Sequence, residues 1–318
     1  MSEDPVNRIY LGDNLPIMRR HIEDESVDLI YLDPPFNSQA TYSLSRNSAG
    51  EGQRLAFEDS WKWDLESESA YRTITTCGPP GLAQLTTALG QILGHGDGMA
   101  YLVMMAVRLM ETHRILKPTG SLYLHCDPTS SHYLKLILDA IFGPALFQRE
   151  IVWRIGWVSG YKTQAQNWIR NHDIILYYTK SGEFTFNKEY IPYPPGYTRR
   201  DGSKPTGKGI PLEDTWNCHR GDSLHSIMIM SFSAEKTGYP TQKPEALLRR
   251  IVGASSEPGD VVMDPFCGSG TTAVAAEAMN RRWIVIDRNE EIAPLIAKRL
   301  TDRFGSDGSP YELINTLE

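Results

Sequence analysis

The segment Asp33-Pro34-Pro35-Phe36 sets a carboxylate, two rigid residues and an aromatic ring directly after an apolar run, Val27 to Leu32. A carboxylate and a fixed backbone carbonyl can accept hydrogen bonds from both hydrogens of a conjugated amine, which makes that amine a better nucleophile. The prolines stiffen the Pro34 carbonyl, and the Phe36 ring offers a stacking face to a base pulled from a helix. The segment predicts activation of an exocyclic base amine; a rigid turn without chemistry is the alternative.

A second segment, Asp264 to Thr272 (DPFCGSGTT), follows the apolar run Val261 to Met263 and opens a helical pattern. Its glycines allow close approach of the backbone to a ligand, and amides at a helix start can hold an anionic group. Asp287 ends the next apolar run, where a carboxylate can accept hydrogen bonds from two ribose hydroxyls. The combination predicts a nucleoside cofactor. The third glycine of the GxGxxG fingerprint is absent, which disfavours a nicotinamide dehydrogenase.

The elements that must position these motifs alternate between strand and helix patterns. We predict an α/β fold, a Rossmann-like doubly wound and mostly parallel sheet, in which both motifs lie at the carboxyl ends of strands. The stretch 37–60 is predicted as a loop, and 174–178 is the one strand predicted between 155 and 239. The other predicted strands are 9–11, 27–32, 121–125, 261–263 and 283–286, and the predicted helices are 15–22, 71–93, 99–116, 132–142, 244–254, 271–279 and one ending at 300.

These motifs and their order resemble the beta group of amino-DNA methyltransferases, in which a DPPY-type catalytic motif precedes an FxGxG cofactor motif. The resemblance rests on DPPFNS (33–38), YLHCDPTSSHYLKLILDAIFG (123–143), GYPTQKPEALLRRIV (238–252), DPFCGSGTT (264–272) and WIVID (283–287). Phe36 stands where the motif has tyrosine, which keeps the ring and removes a hydroxyl. His125 and His132, which flank a strand end, are expected to have structural or supporting roles.

The resemblance implies S-adenosylmethionine as the cofactor, no metal, and a role for each matched residue. Asp287 would hold the ribose, Lys243 would approach the methionine carboxylate, and Asp13 with Asn14 would lie near the adenine ring of the cofactor. The implied catalytic residues are Asp33, Pro34, Pro35 and Phe36. The implied cofactor-binding residues are Asp13, Asn14, Asp33, Lys243, Asp264, Pro265, Phe266, Gly268, Gly270, Thr271, Thr272 and Asp287.

Charge is unevenly distributed in this chain of 318 residues, whose net charge is -7. The window 149–220 holds 11 Lys or Arg, 7 Asp or Glu and twelve aromatic residues. A basic, aromatic surface suits phosphates and unstacked bases, although a solvated region with packed aromatics is the alternative. The predicted organisation is a catalytic half (1–154), a target-recognition insert (155–239) and a cofactor-binding half (240–318).

The functional hypothesis is methylation of adenine N6 in double-stranded DNA with base flipping. Cytosine N4 is the alternative within the class, and RNA or a protein glutamine fits less well. A catalytically inactive DNA-binding regulator is the alternative from another class. The resemblance implies a homodimer and leaves room for a cognate restriction endonuclease. Without a signal peptide or an apolar span, we expect a cytoplasmic protein with no membrane partner.

Overall fold

Strands and helices alternate along the chain in the computed structural model, which describes residues 7–36, 40–44, 54–59, 61–154, 166–217, 233, 235–305 and 308–317. The strands are β1 (Asn7–Leu11), β2 (Val27–Leu32), β3 (Ala40–Leu44), β4 (Arg54–Asp59), β5 (Leu116–Cys126), β6 (Phe147–Arg154), β7 (His172–Thr179), β8 (Tyr190–Ile191), β9 (Ile210–Pro211), β10 (Thr215–Trp216), β11 (Val261–Asp264), β12 (Arg282–Asp287) and β13 (Tyr311–Asn315). The helices are α1 (Asn14–His21), α2 (Leu65–Cys77), α3 (Pro80–Leu93), α4 (Asp97–Ile115), α5 (Ser131–Phe142), α6 (Glu245–Ser255), α7 (Thr271–Glu277) and α8 (Ile292–Phe304), with a 3-10 turn at Pro144–Leu146.

One sheet organises the molecule, with strand order β10-β6-β7-β5-β2-β11-β12-β1-β13. All of its strand pairs are parallel except the two that β7 makes, with β5 and with β6. The predicted α/β fold with a mostly parallel sheet is therefore confirmed. Because β7 is antiparallel to its neighbours, its first residues lie at the end of the sheet where β2, β5, β11 and β12 finish.

Two hydrophobic layers cover the faces of the sheet. Alternate residues of β2 point to opposite faces, so that Ile30 and Leu32 pack with helices α1 to α5, whereas Leu29 and Tyr31 pack with α6 to α8. Burial on both faces explains why the central strands are continuous apolar runs rather than alternating ones. Within the described ranges, no helix is long and apolar enough to span a bilayer.

The range 71–93, predicted as one helix, is two helices. Gly78 and Pro79 separate α2 from α3, and Pro80 occupies the first turn of α3, where the missing N–H costs nothing. Asp64 begins α2 by accepting a hydrogen bond from the Ser67 backbone N–H at 2.8 Å. The apolar spacing continues across the break, which is why periodicity alone merged the two helices.

The range 37–60, predicted as a loop, contains the antiparallel pair β3 and β4. Each strand is short and paired only with the other, so neither has the continuous apolar run of a central strand. Residues 37–39, 45–53 and 60 lie outside the described residues.

The range 155–239 contributes to the main sheet as well as to loops. Within it, β7 is hydrogen-bonded between β5 and β6, and β10 pairs with β6 at the sheet edge. The prediction of a single strand in this range was wrong, because the short strands β8, β9 and β10 also lie in it. The strands β6 and β13, outside the range, were not predicted either. Several aromatics of the basic window prove to be core: Trp153, Tyr177, Tyr178 and Trp216 are buried, whereas Trp168 is 96% exposed. Residues 155–165, 218–232 and 234 lie outside the described part of the chain.

Candidate active site

The carboxyl ends of β1, β2, β11 and β12 open into a cavity of about 780 Å³. The loop at 239–243, which precedes α6, closes one side of it. Both sequence motifs line this one cavity. Of the residues singled out from the sequence, those that line it are Asn14, Asp33, Pro34, Pro35, Phe36, Lys243, Asp264, Pro265, Phe266, Gly268, Thr271, Thr272 and Asp287. Asp13 and Gly270 are not among the lining residues.

Asp33 stands at the end of β2 between two basic side chains. Its Oδ2 atom is 2.5 Å from Nζ of Lys243, and its Oδ1 atom is 3.8 Å from Nδ1 of His125. The Phe36 ring lies beside both partners, with its centroid 5.6 Å from that of the His125 ring and 5.4 Å from the Lys243 ammonium. The carboxylate is thus held at the cavity wall beside an aromatic face.

Lys243 joins the two motifs. Its ammonium pairs with Asp33, and its backbone carbonyl accepts a hydrogen bond from the Thr271 hydroxyl at 3.1 Å. The sequence pointed to a carboxylate of the ligand as the partner of Lys243, whereas the partner observed is a carboxylate of the protein. An ammonium at this position can hold either one.

The loop between β11 and α7 is fixed by two buried carboxylates. Asp264 accepts hydrogen bonds from the Phe266 backbone N–H at 3.0 Å and from the Thr272 hydroxyl. Asp287, at the end of β12, accepts from the Gly268 backbone N–H at 2.8 Å and from that of Asn289 at 2.9 Å. A carboxylate has about four lone-pair sites, so Asp287 keeps acceptor capacity for a ligand in the cavity.

Burial raises the pKa of Asp264 to about 7, against the hydrogen bonds from Thr272 and Phe266, which favour the charged form. Burial likewise raises the pKa of Asp287. The nearby carboxylates Asp33 and Asp287 raise the pKa of Asp264 further, whereas Arg288 acts against the rise at Asp287. The floor of the cavity therefore holds two carboxyl groups whose burial favours the protonated form.

The raised pKa of Asp264 predicts a specific pH dependence of stability. A carboxyl whose folded pKa lies above its unfolded value of 3.8 stabilises the fold fully below that value, and this contribution is lost as the pH rises to about 7. We expect Asp264→Asn to lose less unfolding free energy than the wild type between about pH 4 and 7, by at most about 4 kcal/mol. Denaturant unfolding across this range measures the difference. Asp214→Asn, at an exposed carboxyl, is the control, and parallel curves for wild type and Asp264→Asn would contradict the prediction.

Gly270 contacts the hydrophobic core on the inner side of the loop and does not line the cavity. It precedes α7 with φ +75°, and a Cβ added there would lie 2.4 Å from Cγ1 of Ile296 in α8. Gly268 is also left-handed, and its added Cβ would lie 3.1 Å from the Tyr239 ring. The lack of a side chain at Gly268 thus leaves room for the Tyr239 ring at the cavity, and its lack at Gly270 leaves room for Ile296 in the core.

Gly270→Ala is expected to lower the unfolding free energy by about 2 to 4 kcal/mol, since it adds both a strained φ and a clash with Ile296. Gly259→Ala is the matched control: Gly259 has φ +92° but no atom within 4 Å of an added Cβ. That change should cost only the backbone strain, about 1 kcal/mol. Equal losses in the two variants, measured by thermal or denaturant unfolding, would show that the contact with Ile296 is unimportant.

Asp13 and Asn14 act through Arg108, a buried residue of α4. Arg108 donates to the Asp13 carboxylate at 2.8 Å and to the Asn14 amide oxygen at 2.6 Å, while the Asn14 amide donates to the Pro265 carbonyl at 2.7 Å. Arg288 also donates to Asp13, at 2.7 Å. Burial would raise the pKa of Asp13, but the two guanidinium groups and the Leu15 backbone N–H together outweigh it and hold that pKa below its ordinary value.

Several lining residues were not singled out from the sequence. They are Trp61, Met104, Arg108, Tyr239, Gln242, Arg288, Asn289, Glu290 and Glu291, together with Gly12, Tyr31, Thr241, Leu248, Cys267 and Ser269. A buried arginine within the apolar stripe of α4 was a usable signal for Arg108, because an unpaired guanidinium is rarely buried. Trp61 carried no such signal, since it approaches the cavity only through the packing of the segment before α2.

The cavity suits a cofactor with a carboxylate, an ammonium, a ribose and an adenine ring. Its volume lies within the ordinary range for small-molecule sites, about 300 to 1,000 Å³. Lys243 and the guanidinium groups provide partners for anionic groups. Asp287 is placed to accept from hydroxyls, and Tyr239, Phe266 and Trp61 provide flat apolar surface. The side chains present fit such a group.

Comparison with known proteins gives a consistent result. A family model described as DNA methylase matches residues 27–299. The Type II methyltransferase M.HpaI of Haemophilus parainfluenzae is 27% identical over 90% of this chain and 71% of its own length. The DNA adenine methyltransferase YhdJ of Escherichia coli (strain K12) is 28% identical over 92% of this chain and 82% of its own.

Solved structures share the fold at low sequence identity. The M1.HpyAVI-SAM complex aligns with a TM-score of 0.52 at 19% identity and covers 92% of this chain and 98% of that one. The PvuII DNA methyltransferase, described as cytosine-N4-specific, aligns with a TM-score of 0.53 at 15% identity and covers 95% and 89%. At these identities the likeness concerns the fold alone.

Proposed function

The chain belongs to the DNA methylase family, and on that premise we propose that it methylates the exocyclic N6 amine of adenine in duplex DNA after flipping the base into the cavity. The broader activity is that of an S-adenosylmethionine-dependent enzyme acting on an exocyclic amine, N6 or N4, in DNA. The choice of adenine is supported by the similarity to YhdJ, a DNA adenine methyltransferase.

The observation that carries the proposal is the meeting of both motifs in one cavity. Asp33 to Phe36 and the loop from Asp264 to Thr272 line the same space of about 780 Å³. A base amine beside Asp33 and a cofactor beside the glycine loop would therefore be neighbours. Holding two reactants in line can contribute about 7 to 11 kcal/mol to the rate of a transfer.

S-adenosylmethionine supplies a methyl group on a positively charged sulfur, open to displacement by an amine. We assign Asp33 and the Pro34 carbonyl as acceptors for the two amine hydrogens. Phe36 is assigned as the stacking face for the flipped base. The twelve implied cofactor residues divide into those that line the cavity and two supports: Asp13, which fixes Arg108, and Gly270, which admits Ile296 beneath the loop.

DNA recognition is proposed for the loops within 155–239. The described part of this range carries exposed basic side chains, among them Arg199, Arg200 and Lys204, and the exposed Trp168. Such a surface attracts phosphates through its cations and unstacked bases through its aromatic rings. Arg170 ties the start of β7, beside Trp168, to Asp127 at the carboxyl end of β5. We also propose a homodimer, a cognate restriction endonuclease as a partner system and a cytoplasmic location.

The test is expression in a host that lacks DNA methylation, followed by long-read sequencing of its genome. We expect one short motif to carry N6-methyladenine, and the Asp33→Ala variant to leave the genome unmodified. If the motif carried N4-methylcytosine instead, the target base would be cytosine and not adenine. A clean genome from folded wild-type protein that binds DNA would favour the inactive regulator, whereas methylated RNA or protein would reassign the substrate.

A further inference from the structure

A buried line of polar groups lies behind Asp33. His125, on β5, is fully buried, and its two ring nitrogens have different partners. Nδ1 is 2.9 Å from the Tyr31 hydroxyl and 3.8 Å from Oδ1 of Asp33. Nε2 is 3.3 Å from Oδ2 of Asp173, the second residue of β7. The imidazole thus stands between the carboxylate at the cavity wall and a second carboxylate in the interior.

These partners assign the protonation of the ring. Burial would raise the pKa of Asp173, but the hydrogen bond from His125 and the nearby cations, Lys243 and Arg170, lower it below its ordinary value. An ionised Asp173 can only accept, so Nε2 carries the proton. Nδ1 is then unprotonated, and its lone pair accepts a hydrogen bond from the Tyr31 hydroxyl. A carboxylate that fixes the tautomer of a histidine also stabilises the imidazolium that forms when the other nitrogen takes a proton.

We propose that His125 and Asp173 form a dyad that takes up, through Asp33, the proton released when the target amine is methylated. This inference rests on the proposed function. It makes His125 and Asp173 positioning residues, since Asp33 alone among these three lines the cavity. The geometric ground for the dyad is that Nδ1 of His125, which accepts from the Tyr31 hydroxyl, also lies 3.8 Å from the carboxylate assigned to the substrate amine.

The amine lone pair forms the N–C bond, and the C–S bond breaks with its electron pair left on sulfur. The nitrogen gives one proton to Asp33. The Tyr31 hydroxyl then turns its hydrogen away from Nδ1 of His125, and Oδ1 of Asp33 passes the proton to that nitrogen. Shortening 3.8 Å to a hydrogen bond of about 2.8 Å requires a shift of about 1 Å. The imidazolium between two carboxylates releases the proton to solvent after the product leaves.

The charged and titratable groups around the ring define what a pH profile reports. Tyr31 and Asp33 face it from β2 and its end, and Asp173 faces it from β7. Lys243 is paired with Asp33, and Arg170 is paired with Asp173 and Asp127. The Trp153 ring, on β6, packs edge-on at 5.5 Å. Asp264, in the same cavity, is a second candidate for an acid limb, because burial raises its pKa to about 7, and the His125→Asn variant distinguishes the two groups.

The experiment is single-turnover methylation of duplex DNA by the full chain at saturating S-adenosylmethionine, from pH 5 to 9. We expect the wild-type rate to fall toward acid in a limb between about pH 5 and 8, as protonated imidazole can accept no proton. His125→Asn should lower the rate about 100-fold at neutral pH and remove that limb. His113→Asn, at a partly buried histidine that packs on Phe142 and lines no part of the cavity, should change neither.

Asp173→Asn keeps the side-chain size and provides the second test, useful also if His125→Asn fails to fold. It should lower the rate about tenfold and move the acid limb to lower pH, because the imidazolium loses its counter-charge. Calorimetric binding of S-adenosylmethionine, unchanged in both variants, separates the dyad from damage to the cavity. A merely structural role would leave the limb in place.

A failure of the proposed function can be distinguished from a failure of the dyad. If the wild type methylates no DNA, the proposed function fails and the dyad has no proton to take up. If the wild type is active and the folded His125→Asn variant keeps its rate within threefold or retains the acid limb, the proposed function stands and the dyad is overturned.

Discussion

Asp33→Ala is expected to lower the single-turnover rate of methyl transfer about 1000-fold while leaving cofactor binding within tenfold of the wild type. The carboxylate is the acceptor proposed for one amine hydrogen and for the departing proton. Its loss also removes the partner of Lys243, 2.5 Å away, which frees that ammonium for the cofactor carboxylate. The rate therefore falls for a chemical reason, and the affinity for S-adenosylmethionine does not fall with it.

Two further variants sharpen this prediction. Asp33→Asn keeps the shape and one acceptor oxygen, and should lose about 100-fold because its amide group also presents hydrogens to the amine. Asp139→Ala is the matched control, since Asp139 pairs with Lys135 at 2.7 Å as Asp33 pairs with Lys243, but outside the cavity. Wild-type rates for Asp139→Ala and a loss of less than tenfold for Asp33→Ala would together exclude Asp33 as the acceptor.

Asp287→Ala should show the opposite pattern, with S-adenosylmethionine binding weakened about 100-fold, or about 2.7 kcal/mol. Asp287 holds the backbone N–H groups of Gly268 and Asn289, so its removal loosens the glycine loop and deletes the acceptor proposed for the ribose. Charge-assisted hydrogen bonds of this kind contribute about 1.5 to 3 kcal/mol each. Isothermal titration calorimetry measures the affinity, and transfer should recover in part at high cofactor concentration.

Asp260→Ala provides the comparison. Asp260 also accepts from a backbone N–H, that of Glu257 at 2.8 Å, but it lies just before β11, at the amino end of the strand and not at its carboxyl end. If the two substitutions weakened binding equally, general destabilisation rather than the loss of a specific acceptor would explain the effect. Asp33→Ala and Asp287→Ala thus divide the cavity into a part that acts on rate and a part that acts on affinity.

The parts of this site that could be predicted are those that depend on a single strand end. Asp33, Asp264 and Asp287 each follow a continuous apolar run, and parallel strands place such ends along one edge. The pairing of Lys243 with Asp33 could not be predicted in this way, because 210 residues separate the two and the ligand carboxylate was an equally good partner. The partners of Arg108, Asp13 and Asn14, could not be predicted for the same reason, although an arginine within the apolar stripe of α4 was itself a signal in the sequence.

The fold was predictable to a similar depth. The central strands were recognised because burial on both faces leaves an apolar run in the sequence. The position of β7 between β5 and β6 was not, since strand order depends on long-range pairing that periodicity does not record. The short ribbon of β3 and β4 was missed because neither strand has a continuous apolar run in the sequence.

The insertion of β7 between β5 and β6 bears on how a new sequence specificity could arise. If the whole range 155–239 were exchanged for that of a relative, the graft would also replace a central strand of the sheet and Asp173, which contacts His125. A chimaera would need its first junction after Thr179, where β7 ends, to leave that strand intact. Recombination between family members would therefore be tolerated best downstream of β7. Diversification by exchange of segments should spare 172–179 and accumulate in the loops that follow it.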